Sequence, residues 1–106
     1  MSQKDDKIKE IIRELAAQFF SRESNRTSLI TVTGIELLSH GTRATILITV
    51  LPESQEAAAL DFAERQLSDF KQFVHDHSRL VRVPFFGVKI DIGEKNRQKI
   101  EEISRT

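Results

Sequence analysis

The side chains best suited to meet phosphate are concentrated in one stretch. From Phe70 to Lys89 the chain carries Lys71, Arg79, Arg82 and Lys89 against a single acid, Asp76, for a local charge of +3. The preceding stretch is the reverse: Glu53, Glu56, Asp61, Glu64 and Asp69 face Arg65 alone, for a local charge of −4. Lys and Arg that neutralise phosphates release condensed counterions, so a patch built on the second stretch would bind nucleic acid in a salt-dependent way. Arg22, Arg26 and Arg43 are candidates to extend it. A plainer reading also exists, because acids near a helix start and bases near its end complement the helix dipole, and on charge alone that reading suffices. Arg79 and Arg82 have opposite parity, so a regular strand would send them to opposite faces. Both can face one ligand only if Arg79 precedes the regular strand. Lys71 and Arg79 therefore carry more weight than Arg82.

Other groups point to less. His75-Asp76-His77 has the composition of a metal ligand set, but residues two apart on a helix diverge by about 200° and do not converge on one ion. At a helix end, cationic His is favourable in its own right. His40 reads as a turn residue. No Gly-x-Ser-x-Gly, P-loop or dinucleotide fingerprint is present, and nothing places Ser, His and Asp together, so no enzyme and no cofactor or small-molecule substrate is expected. Of the seven Phe residues, Phe19, Phe20, Phe62, Phe70 and Phe73 fall on apolar stripes. Phe85 and Phe86 are adjacent, so one points outward. An exposed Phe there can stack on a base, or else pack a strand edge or a partner.

Something must position these groups, and the composition bounds what that is. A chain of 106 residues is one domain with a single feasible core. Its 39% hydrophobic and 30% charged residues fit a folded protein and argue against disorder. Sixteen Lys+Arg balance sixteen Asp+Glu, which excludes a general polycation and requires any nucleic-acid contact to be local. Cysteine is absent, so disulfides, thiolate zinc sites and a Cys nucleophile are excluded. No run approaches the roughly 20 apolar residues of a membrane span. MSQKDDKIKE has no apolar signal core, and the expected compartment is the cytoplasm.

Ile8, Ile11, Ile12, Leu15, Ala16, Phe19 and Phe20 follow helical spacing and predict a first helix ending near Phe20. Leu29–Leu38 is β-branched, with a parity switch at Gly34 that predicts a bulge keeping Ile30, Val32, Ile35 and Leu37 on the core side. Ser39-His40-Gly41-Thr42 is a turn. Arg43–Val50 follows, completing an antiparallel hairpin with Ala44, Ile46, Ile48 and Val50 inward. Ser54 is a plausible cap for a helical stretch from Ala57 to Val74, interrupted near Ser68-Asp69. A last strand is expected over Leu80–Asp91, bulged near Pro84–Gly87. The order is α-β-β-α(α)-β, a two-layer α+β sandwich with a three-stranded sheet and a weak helical tail. The link through helix would permit a parallel pair. The expected division is a single domain over 1–93 and a polar tail over 94–106, a short helix at best.

Ile30-Thr-Val-Thr-Gly-Ile-Glu-Leu37, the turn, Arg43-Ala-Thr-Ile-Leu-Ile-Thr-Val-Leu51 and, after the long helical segment, Arg79-Leu-Val-Arg-Val-Pro84 together resemble ribosome-binding factor A. The similarity runs roughly from Lys4 to Ile92. It implies a KH-like fold of type II order, α-β-β-α-α-β, without the Gly-x-x-Gly loop of ordinary KH domains, which this chain also lacks. It further implies a non-catalytic maturation factor that binds the 16S rRNA of immature small subunits, expected here as a monomer. RNA contacts would come from Lys71, Arg79, Arg82, Arg26, Arg22 and Arg43, with Ser68 at the position of the family's helix kink. Leu67-Ser68-Asp69 replaces the family's Ala-x-Gly there, and Phe85 replaces an acid often found after the proline. The alternative is a protein-interaction module on the same scaffold. Phe85, Phe86 and the outward residues Thr31, Thr33, Thr45 and Leu47 would then meet a protein partner.

Overall fold

The computed structural model describes residues 3–23 and 28–104. Among these residues, four α-helices and three strands follow in the order α1 (Gln3–Glu23), β1 (Leu29–Leu38), β2 (Arg43–Leu51), α2 (Glu56–Arg65), α3 (Leu67–His77), β3 (Phe85–Ile90) and α4 (Ile92–Ser104). The sheet order is β1-β2-β3, with β1 antiparallel and β3 parallel to the central β2. The parallel pair is possible because α2 and α3 carry the chain back across the sheet. This is the expected α-β-β-α-α-β order, followed by one more helix.

One face of the sheet is the core face. Ile30 and Ile35 from β1 and Ala44, Ile46, Ile48 and Val50 from β2 are buried there, with Phe86, Val88 and Ile90 of β3 packed beside them. The register between β1 and β2 shifts between Val32 and Gly34, leaving Thr33 as the extra residue. That bulge keeps Val32 and Ile35 on one side although their parities differ, as the sequence suggests. Ile12, Ala16 and Phe20 of α1 and Phe70 and Val74 of α3 are fully enclosed above this face. Burying the Ile, Phe and Val side chains among them contributes about 1.5–3 kcal/mol each. Four Phe residues link the layers, with ring centroids 5.4 Å apart for Phe19–Phe70, 5.5 Å for Phe20–Phe70 and 4.8 Å for Phe70–Phe86.

Several boundaries differ from the sequence reading. α1 runs to Glu23, past the end of its apolar stripe. The helical break falls at Gln66, not at Ser68-Asp69. The Gln66 N–H donates to Ala63 O (3.0 Å), a tightened last turn, and Gln66 O then accepts from Phe70 N–H (2.8 Å) to start α3. Ser68 and Asp69 lie in the first turn of α3, where Asp69 complements the dipole. α2 is preceded by a single 3₁₀ turn, Glu53–Gln55, so Ser54 is not its cap. β3 starts at Phe85 rather than Leu80, and its register with β2 is continuous from Phe85 to Ile90. The parity switch read as a bulge at Pro84–Gly87 is instead the boundary between a connecting segment and a strand. The tail is a helix of 13 residues. It starts at Ile92 because Asp91 caps it, its Oδ1 accepting from Glu94 N–H at 3.1 Å.

Candidate nucleic-acid interface

The site is built from two adjacent pairs of residues, each with one member inside and one outside. Phe70 and Phe86 touch in the core. Their chain neighbours Lys71 and Phe85 meet outside, with Lys71 Nζ 3.9 Å from the centroid of the Phe85 ring. An ammonium over a ring face is attracted by the ring quadrupole, worth about 0.5–1 kcal/mol at an exposed site. Burial of one aromatic pair thus fixes the position of the other contact. Phe85 itself is 67% exposed. It leaves the sheet on the face opposite the core, because Phe86 points inward.

Arg43 completes the cluster. It is the register partner of Phe85 across the parallel β2–β3 ladder, so both side chains leave the same face. The ladder is closed at this end by Phe85 N–H donating to Thr42 O at 3.0 Å. Arg82 lies three residues before Phe85 and Arg79 six, within reaches of about 10 and 20 Å of extended chain. Both are exposed and both sit in the segment 78–84 that joins α3 to β3. Ser78 turns the chain into that segment: its hydroxyl donates to Val74 O (2.7 Å) and accepts from Leu80 N–H (3.3 Å). Because both arginines precede the strand, the parity that would have sent them to opposite faces does not apply.

Ser68 is exposed one helical turn before Lys71, and side chains three apart are neighbours on a helix surface. Arg26 lies outside the described residues, as does the side chain of Arg22, whose backbone lies in the last turn of α1. Among the described residues, no carboxylate comes within ion-pair distance of Lys71, Arg79, Arg82 or Arg43.

Lys89 belongs to the basic stretch in sequence but not in charge. Its Nζ is 3.0 Å from Glu36 on the outer face of the sheet. The acidic stretch is also less acidic than its sequence. Arg65 pairs with Asp61, and α4 brings Lys95 to Glu53 (3.0 Å) and Glu56 (2.9 Å) and Lys99 to Glu53 (3.2 Å). Hydrogen bonds from Lys95 and Lys99 hold the Glu53 carboxyl below the usual carboxylate range. A hydrogen bond from Thr33 Oγ1, 2.6 Å from Asp91 Oδ2, and one from Glu94 N–H do the same for Asp91. Sequence reasoning missed this fastening of α4. The pattern Asp91-x-x-Glu94 was the available signal for the helix start.

The two histidines find local partners rather than a common ion. His77 stacks on Phe73 at 4.1 Å and its Nδ1–H donates to Phe73 O (2.9 Å), while His75 Nδ1 lies 3.5 Å from Asp76. Among the described residues no three His, Cys, Asp or Glu side chains are grouped to hold a metal ion. Among them also, no helix is long and apolar enough to cross a membrane.

A three-stranded sheet backed on one face by α1, α2 and α3 gives an α+β fold of the order α-β-β-α-α-β, the order expected of the type II KH-like arrangement. Solved structures share this fold. Ribosome-binding factor A from Thermus thermophilus superposes with a TM-score of 0.70 at 16% identity, over 80% of this chain and 93% of that one. A Thermotoga maritima protein provisionally named a ribosome binding factor A gives 0.58 at 16% identity, over 79% of each chain. No family model and no curated protein matches the sequence. The resemblance read from the hairpin and the Arg79–Pro84 segment is met at the level of the fold.

Proposed function

We propose that this chain is a non-catalytic assembly factor of the small ribosomal subunit that binds 16S rRNA on immature particles. The observation that carries the reading is the group of cations around the start of β3 that have no carboxylate partner among the described residues, on the fold of the Thermus factor. Lys71, Arg79, Arg82 and Arg43 meet phosphates, and Ser68 beside Lys71 adds a hydroxyl donor. Arg22 and Arg26 extend the contact. The protein acts as a cytoplasmic monomer without a cofactor. Its contribution is differential affinity: it favours the rRNA conformer it binds better, and the shift is limited to that difference.

Sedimentation of the protein with purified small subunits over a salt series tests this. Co-sedimentation at low salt should fall as salt rises, with a log–log slope near −4 for about six phosphate contacts. Absence from the particle even at low salt overturns the proposal. A second reading, a protein-binding module, draws on Val81, which is 98% exposed beside Arg82. It predicts association that is insensitive to salt in this range and survives when the protein components alone are offered.

A further inference from the structure

Phe85 poses a question that phosphate binding does not answer. A large aromatic side chain stands 67% exposed, and Lys71 Nζ lies over its ring, 3.9 Å from the centroid. Arg43 leaves the same side of the sheet from the register position directly beside it. The backbone beneath is rigid, because Phe85 N–H is tied to Thr42 O and Phe86 is anchored on Phe70. Phe85 thus starts from a pinned strand end, largely exposed, with Lys71 over its ring and Arg43 at the neighbouring register position on the same side of the sheet.

We infer that Phe85 is a stacking platform for a single unpaired nucleobase, with Lys71 and Arg43 on the phosphates that flank it. The inference rests on the RNA-binding reading above and adds a selectivity to it. A nucleotide supplies both complements at once, a π-face for the ring and an anion for each cation. A base inside a duplex has both faces stacked on its neighbours, so the ring cannot reach it. The site thus takes a looped-out or single-stranded segment and passes over regular helix. A basic protein partner is disfavoured by the same two cations.

The chain contains neither Trp nor Tyr, so Phe85→Trp installs a lone reporter at the platform. The probes are a single-stranded oligoadenylate of about twelve nucleotides and an RNA duplex of the same length. Emission of F85W should be quenched by the single strand and unchanged by the duplex. Phe85→Leu keeps apolar bulk and removes the π-face. It should weaken single-strand binding about 5- to 150-fold, the range for losing one stacked base, while duplex binding and the salt slope stay as in the parent. Lys71→Gln should instead lower the slope by about 0.7. If F85L binds the single strand as the parent does while K71Q weakens it, the platform is wrong and the RNA reading stands. If the parent chain binds neither RNA at low salt, the RNA reading fails and takes the platform with it. Phe85 is exposed, so F85L should keep the parent's unfolding midpoint, and a shared midpoint separates lost stacking from lost folding.

Discussion

Gly41 closes the β1–β2 hairpin at φ +85, after Ser39 at φ 53 and His40 at φ 58. Three successive residues thus occupy the left-handed region, where a Cβ costs about 1–2 kcal/mol. A Cβ at Gly41 would meet nothing within 4 Å, so the cost of Gly41→Ala is that of the backbone alone. G41A should lower stability by about 1–2 kcal/mol. Gly87 is equally open and has no positive φ, so G87A should stay within about 0.5 kcal/mol of the parent. Urea unfolding of both variants checks this, and equal midpoints would contradict it. The turn was legible in Ser39-His40-Gly41-Thr42 because its signal is local. That one of Phe85 and Phe86 points outward was legible too. Which one was not, because the choice depends on where β3 starts, and Phe70, far earlier in the chain, decides it by packing on Phe86.

At the scale of elements, α1 and the hairpin declared themselves through apolar spacing, since the stripe from Ile8 to Phe20 and the parity switch at Gly34 are both packed as read. α4 did not, because little of it is apolar and what holds it comes from far along the chain. Thr33 lies 58 positions from Asp91, and Glu56 lies 39 from Lys95. For the same reason the regional charge sums misjudged the acidic stretch. The fastening has a pH dependence whose sign is set by Asp91 and Glu53. Both carboxyls are held below their ordinary values in the folded chain. Their contribution is present at pH above the ordinary carboxylate range and is lost as pH falls through the folded values. α4 should therefore loosen below about pH 4, ahead of the sheet. Asp91→Ala removes the cap and should destabilise α4 by about 1 kcal/mol at neutral pH. NMR chemical shifts of residues 93–103 across a pH series would show both effects. Sheet and α4 signals changing together in every condition would mean that α4 is not a separate unit.

For the molecule as a whole, positive and negative formal charges cancel, so any attraction to RNA must come from where charge is left unpaired. Pairing sorts the cations. Arg13 sits 2.6 Å from Glu10 and Arg65 pairs with Asp61, whereas no carboxylate among the described residues pairs with Lys71 or Arg79. Equal changes in net charge should then have unequal effects. Lys71→Glu with Arg79→Glu should weaken association with small subunits tenfold or more, about what losing and reversing two phosphate contacts implies. Arg13→Glu with Arg65→Glu alters the net charge by the same amount at paired, exposed positions. It should change affinity by no more than about threefold, since exposed charges away from the contact act on it only through a field that salt screens. Quantitative pelleting at one fixed, moderate salt concentration compares the two. Equal losses would mean that the subunit responds to overall charge and that the start of β3 is not a distinct binding surface. A loss confined to the first pair would locate the contact on the side of the sheet where Phe85 is exposed, and so join the electrostatic and the aromatic parts of the surface into one.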